Sequence, residues 1–451
     1  MDRKIKKNDE FVVTIERYGD GGEGIAIYDG IVIFVPYAKI GEQVKVHVIN
    51  DKKSFLIAKI VEKYSNSENS EIPQCPYFYK CGGCDIQHFS KTEQLEFKKE
   101  MVKNSLNKYA KITFLVNDVI SSDKWFRYRN KFAFPVQEVN GEIKIGMYQK
   151  NSHNIIEIED CLLQSEKTQI LIKIIKEYML ENKIKAYNEQ TKRGTIKHIV
   201  VRENNDSFIL TIVVTDEKFN NFEPLIKKLK TQFSNFGIVK NVNKLQNNVI
   251  FGNLDKLVYG IENLSIEEFG VKYEINNRSF LQVNDFIKTK IYTKIIETLG
   301  NQENIIDAYS GAGLLSSVLA KNCKQVYGVE IIEEATKNAN ELKKKNNLNN
   351  LENINGDCAK IIPKLAQKLN GNFAVVVDPP RKGLDKSVVD AFLESCPKQI
   401  VYLSCNPATL ARDLFDLKTK YDIEFIQPYD MFPQTANVET LVSLKLKSEI
   451  K

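Results

Sequence analysis

Three segments of this 451-residue chain carry residues whose types and setting could do covalent chemistry. In IVYLSCNP, Cys405 closes an apolar run and is followed at once by Asn406 and Pro407. In AVVVDPPRKGL, Asp378 closes a second apolar run ahead of two prolines. In NVETLVSL, Glu439 opens a third. A cysteine with a carboxylate is the set required for nucleophilic addition followed by proton removal. The bland reading of a free cysteine is buried packing. It is the better reading for Cys323, Cys358 and Cys396, which lack such surroundings. For Glu439 the bland reading is a surface carboxylate.

The elements around these residues say where they meet. NIIDAYS reads as a strand leading into Gly311-Ala312-Gly313. A helical run, LLSSVLAKN, follows, and then the strand QVYGVE ends at Glu330. This is a nucleotide-binding βαβ unit: the glycines admit a ligand close to the backbone, and the acid accepts hydrogen bonds from ribose hydroxyls. Ser316 stands where a third glycine would be, so these residues alone leave a dinucleotide dehydrogenase open. In an open parallel sheet the ligand crevice lies outside the carboxyl ends of the strands. Glu330, Asp378 and Cys405 are therefore expected in one cleft. An acid followed by two prolines at this place is typical of methyltransferases that act on nucleobases, and S-C-N-P one strand later strengthens that reading.

Such a cysteine has a clear use on uracil. A thiolate added to carbon 6 turns the ring into an enolate whose carbon 5 can attack a sulfonium methyl group. A base must then take the carbon-5 proton so that the thiolate can leave. Cys405 suits the first role and Glu439 the second. Asp378 and Gln282 could orient the base. Carbon 6 is shielded in a stacked helix, so the target must be flipped out or lie in a loop.

The rest of the chain must hold this cleft. The expected fold class is α/β: a Rossmann-like domain over residues 271–451, a central α+β domain over 63–270 and an OB-like β-barrel over 1–62. The barrel reading rests on five short glycine-punctuated strands. Residues 1–62 hold ten Lys/Arg and ten Asp/Glu, so charge does not single this barrel out as an RNA grip. YSNSENSEIP, residues 64–73, reads as a linker. A helix is expected from Thr92 to about Tyr109, placed where it can pack on the catalytic domain. Hydrophobic residues are 43%, charged residues 27% and net charge +6, a globular composition that permits a polyanionic partner without requiring one. No apolar run reaches the roughly 20 residues of a membrane helix. The N-terminus lacks an apolar signal region, so a cytoplasmic protein without a membrane partner is expected.

Eight cysteines in that compartment argue against a disulfide framework. Cys75, Cys81 and Cys84 lie close together, with Gly82-Gly83 permitting a tight turn beneath a metal centre. Cys161 is the candidate fourth ligand. His88 is an alternative, though more often a loop histidine. Four thiolates suit an iron–sulfur cluster or zinc. Farther on, Lys124-Trp125-Phe126-Arg127-Tyr128-Arg129-Asn130-Lys131 is basic and aromatic with no acid. Lys124, Arg127, Arg129 and Lys131 are candidate phosphate contacts, with the aromatics free to stack on unpaired bases. The competing reading is a strand with Phe126, Tyr128 and Asn130 on its inner face.

SFLQVN, DAYSGAG, GVE, DPPRKG, SCNP and NVET stand in an order that resembles the RNA uracil-5-methyltransferase family, most closely its 23S ribosomal RNA branch, the RumA-like enzymes. The resemblance extends over essentially the whole chain, with RYGDGGEGIAIYDG similar to the start of a TRAM domain. It implies S-adenosylmethionine as methyl donor, held by Gln282, Tyr309, Gly311, Gly313, Glu330 and Asp378. It implies Cys405 as nucleophile and Glu439 as general base. It implies a 4Fe–4S cluster on Cys75, Cys81, Cys84 and Cys161, and 23S rRNA as partner. Leu314 departs from the Asn of some members. Radical methylthiotransferases also combine a TRAM domain with a cluster, but theirs has a tighter cysteine triplet and an open iron. The remaining alternatives are a tRNA uridine methyltransferase and an iron–sulfur RNA-binding protein without catalysis; retention of both Cys405 and Glu439 counts against the last.

Overall fold

A computed structural model describes residues 5–65 and 71–448. Residues 66–70 of the expected linker lie outside the described residues.

The N-terminal barrel has six strands rather than five, because FVVTIERYG divides into Glu10–Thr14 and Arg17–Tyr18. They run in the order Glu10–Thr14, Gln43–Asp51, Phe55–Lys63, Ile31–Val35, Gly24–Tyr28, Arg17–Tyr18. Alternation along the strands turns Val44, Val46 and Val48 inward to meet Ile33, Val35 and Leu56.

The cysteine loop has little regular structure of its own. It runs into the helix Lys91–Ser105, capped by Ser90, whose side chain accepts from the Glu93 amide. The helix ends in a π-turn, Leu106–Ala110. Val102, Leu106 and Ala110 join a core made by the catalytic sheet, among Tyr402, Leu410 and Ile426. This helix is thus built into the catalytic body.

The central sheet has seven strands, ordered Leu254–Gly260, Phe236–Val242, Ser207–Val214, Ile196–Asn204, Lys131–Val139, Glu142–Tyr148, Ile155–Glu157. Helices Lys167–Glu181 and Glu223–Lys230 contribute to its core. A hairpin, Leu264–Glu268 with Val271–Ile275, joins Ile209 and Val239 of this sheet to Val318 of the catalytic body.

The catalytic sheet also has seven strands, in the order Leu351–Asn355, Gln325–Glu330, Asn304–Ala308, Ala374–Val377, Gln399–Ser404, Glu439–Leu446, Tyr421–Tyr429. The first five are mutually parallel. Four of them, from Gln325–Glu330 to Gln399–Ser404, have largely apolar, buried sequences that suit strands covered on both faces, whereas the edge strand Leu351–Asn355 is polar and partly exposed. Glu439–Leu446 runs antiparallel to both its neighbours. The order reverses between Asn304–Ala308 and Ala374–Val377, the switch point at which such sheets bind ligands.

Candidate active site

Glu330, Asp378 and Cys405 all lie at the carboxyl edge of this sheet. On one side of the switch point, Tyr309 leaves its strand with φ +64°. A non-glycine residue in that region is uncommon and marks a constrained turn. Gly313 follows with φ +78°, and a Cβ there would lie 2.7 Å from Ala339 Cβ. Glycine is thus demanded both by conformation and by the close packing of the next helix. Glu330 accepts from the Gly311 amide at 2.9 Å and from the Ile332 amide at 2.8 Å. Two carboxylate oxygens offer about four acceptor sites, so two amides leave room for ribose hydroxyls. Ser316, in the third-glycine position, donates to buried Asp307 at 2.5 Å. Burial pushes Asp307 up to about 7.

On the other side, Cys405 follows the strand Gln399–Ser404 and is half-buried. Its neighbours build the turn. The Asn406 side chain accepts from the Ala408 amide at 3.0 Å and donates to the Arg381 carbonyl at 3.1 Å. Pro407 supplies a preset φ at the first position of the helix Pro407–Leu417. Ser404 pairs with Thr440 in the antiparallel register. That register brings Glu439, at the start of its strand, to the edge where Cys405 ends its own.

Electrostatics confirms the proximity. Burial first, then the charges of Glu439 and Asp378, push the Cys405 thiol up to about 11, while Arg381 opposes them. Glu439 is 3% exposed, and burial, followed by Asp378, drives its carboxyl well above the ordinary range, again against Arg381. Desolvation raises Asp378 to about 7. A half-buried thiol and two acids, all with raised affinity for protons, are the arrangement expected of acid–base and nucleophilic chemistry.

One further residue belongs here, and an exposed ring stands close to Gln282 in the chain. Arg381 is exposed, donates to Asn437 Oδ1 at 3.3 Å and is the cation felt by both Cys405 and Glu439. Phe280, two positions before Gln282, is 84% exposed and offers an aromatic face. Their sequence signals were the arginine directly after the two prolines and an aromatic in FLQVN. Gln282 is half-buried and held through its carbonyl by Asn130 Nδ2 at 3.1 Å.

The basic aromatic segment corrects its sequence reading. It is not a regular strand: Arg127 has φ +55°, and Lys131 alone of these residues lies in a strand. Arg127 is not a free phosphate contact. Its guanidinium is paired through both Nη atoms with Asp160, at 2.7 and 2.6 Å, and also donates to the carbonyls of Cys161 and Gln164. Arg129 bridges by its backbone to Gln164 and Asn284, and its buried Nε lacks a hydrogen-bond partner in the structure. Lys131 is half-buried, and desolvation lowers it to about 8. Only Lys124 is exposed, its ammonium 5.0 Å from the centre of the Phe286 ring.

The four cysteines converge without an outright metal geometry. Among the described residues, no group of three or more His, Cys, Asp or Glu is arranged to hold a metal ion. Yet charge on Cys161, Cys81 and Cys75 is felt at Cys84, raising it beyond the effect of burial. The thiols also receive donors: Gly83 N to Cys81 Sγ and Gln87 Nε2 to Cys84 Sγ, both at 3.3 Å. Gly82 is required, since a Cβ would lie 2.9 Å from the Tyr148 carbonyl. Such a donor set fits a thiolate-bound group. His88 stands apart, buried among the rings of Tyr37, Phe78 and Phe89, with burial lowering it to about 3.

An open sheet with a glycine turn and a strand-end acid at its switch point is a nucleotide-binding fold, and the comparisons make it that of an S-adenosylmethionine-dependent methyltransferase. Residues 90–447 match the family described as tRNA (Uracil-5-)-methyltransferase, and residues 5–61 match the TRAM domain. The chain belongs to this family of S-adenosylmethionine-dependent RNA uracil-5-methyltransferases. It is 39% identical over 452 residues to an uncharacterized RNA methyltransferase of Clostridium acetobutylicum, covering 98% of each chain. An uncharacterized RNA methyltransferase of Staphylococcus aureus is 35% identical over 450 residues, covering 98% of this chain and 99% of the relative. The fold is also similar to the crystal structure of Pyrococcus abyssi tRNA (uracil-54, C5)-methyltransferase in complex with S-adenosyl-L-homocysteine. The TM-score is 0.80 at 28% identity, over 96% of this chain and 99% of that one. A share so large includes most of the barrel, so the barrel by itself does not separate rRNA enzymes from tRNA enzymes. Among the described residues, no helix is long and apolar enough to cross a membrane.

The pairing of Arg127 has a measurable consequence. Arg127→Ala lowers the melting temperature and leaves the slope of log affinity for RNA against log salt unchanged. A slope smaller in magnitude by about one would instead identify a phosphate contact.

Proposed function

We propose that this protein methylates carbon 5 of a uridine in 23S rRNA through a covalent bond between Cys405 and uracil carbon 6. The observation that carries the chemistry is the juxtaposition of Cys405 and Glu439 at one sheet edge, each felt electrostatically with Asp378 and Arg381. When bound, S-adenosylmethionine supplies the methyl group. Glu330, Gly311, Gly313, Tyr309, Gln282 and Asp378 are the residues proposed to hold it. Cys405 loses its proton to solvent and, as the thiolate, adds to carbon 6, sending the 5,6 π pair into the enolate whose carbon 5 takes the methyl group. After carbon 5 has been methylated, Glu439 accepts the carbon-5 proton; the C–H electron pair reforms the 5,6 double bond and expels the thiolate. Burial raises the proton affinity of both groups, and Arg381 is the local charge that favours their ionisation. Phe280 offers a stacking surface to the displaced base and Lys124 a contact for its backbone.

The rRNA assignment rests on the cysteine set, whose composition fits a 4Fe–4S cluster on Cys75, Cys81, Cys84 and Cys161. A tRNA uridine is the second reading, favoured by likeness to the Pyrococcus abyssi enzyme. Mass-spectrometric mapping of 5-methyluridine in rRNA and tRNA, with and without the gene, decides between them; loss of the mark from tRNA alone would overturn the rRNA assignment. Protein purified without air should be brown and carry about four irons per chain. Stoichiometric zinc without visible absorbance would exclude the cluster and leave the methylation chemistry standing.

Substitution separates the two catalytic roles. Cys405→Ala should bind RNA yet form no covalent adduct. Glu439→Gln should add, methylate and stall, giving a slowly migrating protein–RNA band on a denaturing gel. A band from Cys405→Ala, or full turnover by Glu439→Gln, contradicts the assignment.

A further inference from the structure

The segment Asp430–Val438 leads directly into Glu439, and much of what holds it comes from elsewhere in the chain. Asp430 and Met431 are fully buried, and Gln434 is buried with φ +72°. Lys98, on the helix Lys91–Ser105, forms an ion pair with Asp430 in which neither side chain is exposed; it also donates to the Phe432 carbonyl at 3.0 Å. One turn earlier on that helix, Gln94 forms a reciprocal pair with Gln434. Its amide donates to Gln434 Oε1 at 2.9 Å and its oxygen accepts from the Gln434 backbone at 3.1 Å. The cysteine loop completes the grip. The backbone amides of Asp85 and Ile86, directly after Cys84, donate to the Gln434 carbonyl at 3.0 and 3.2 Å, and Asp85 Oδ2 accepts from Ala436 at 3.3 Å. Tyr128 donates to the Pro433 carbonyl at 3.1 Å.

We propose that Gln94 and Lys98 are positioning residues for the proton-removal step, holding the segment that aims Glu439 at uracil carbon 5. The inference rests on the roles proposed above for Cys405 and Glu439. The reason is geometric. A general base must come within about 2.6–3.2 Å of the group it deprotonates. A displacement of about 1 Å can cost on the order of a hundredfold in rate. Cys405 is positioned by a different strand and by a turn whose side-chain hydrogen bonds run from Asn406 to Ala408 and Arg381, not to Gln94 or Lys98. Loosening the segment therefore spares thiolate addition and methyl transfer but delays abstraction of the carbon-5 proton and release of the thiolate. Burial so complete would make either charge very costly alone, and the pairing of Lys98 with Asp430 is what makes both tolerable.

The test uses the full chain with S-adenosylmethionine and rRNA plus tRNA from cells lacking the gene. Gln94→Ala removes the amide pair. The double variant Lys98→Met/Asp430→Leu removes both charges together, so no unpaired ion is left buried. Both are compared with Cys405→Ala and Glu439→Gln on denaturing gels, with thermal melts reporting folding. The expected result is turnover reduced by about tenfold to a hundredfold with accumulation of the covalent band, as in Glu439→Gln. Folded variants with wild-type turnover overturn the proposal. So does lost turnover without a band, which would mean that the anchors act before addition. If Glu439→Gln itself traps no adduct, the catalytic roles fail first, independently of the anchors.

Discussion

The antiparallel register between Gln399–Ser404 and Glu439–Leu446 is the constraint on which the site depends. In a wholly parallel sheet every strand delivers its last residue to the ligand edge and its first residue to the far side. Reversal of one strand lets a strand beginning share that edge. Cys405 arrives as the residue after one strand and Glu439 as the first of the other, with Ser404 opposite Thr440. A slip of one residue would turn Glu439 to the opposite face of the sheet. Burial on both faces of these strands opposes such a slip, because Tyr402, Leu441, Val442 and Leu444 occupy packed cores.

That arrangement has an electrostatic consequence. Glu439, Asp378 and Cys405 each become harder to ionise because they are desolvated, and the two acids further raise the thiol. Arg381 offsets this only in part, from an exposed position. The site therefore stores proton affinity, as a site that moves protons to and from a ring carbon requires.

The central and catalytic bodies of the chain are joined by polar contacts that start in a short stretch, Arg127–Asn130. Arg127 holds the Cys161 turn, Tyr128 the segment before Glu439, and Asn130 the Gln282 carbonyl. What looked like a surface for phosphates is largely a joint. Cationic and aromatic side chains serve either purpose, and whether an arginine meets a phosphate or an aspartate depends on Asp160, which lies 33 residues away.

Chemistry-bearing residues were legible wherever local pattern dictated them. Apolar runs ending in Asp378 and Cys405 announced buried strands with functional ends, and Gly311 and Gly313 announced a turn that both occupy with positive φ. The third-glycine departure, Ser316, and the exposed roles of Phe280 and Arg381 needed neighbours to be read, since a hydroxyl, a ring or a cation has no fixed use of its own. Likewise FVVTIERYG concealed a strand break, because continuity of alternation does not show where a barrel must bend. By itself the sequence determined the α/β class, the sheet edge at which Asp378 and Cys405 lie, and the candidates for the reactive groups, because these follow from periodicity and side-chain chemistry. Only the tertiary structure decided which arginines were already paired, and that a helix of the cysteine region grips the segment before Glu439. Those contacts join residues such as Lys98 and Asp430, 332 positions apart, and no local pattern encodes a partner at that distance.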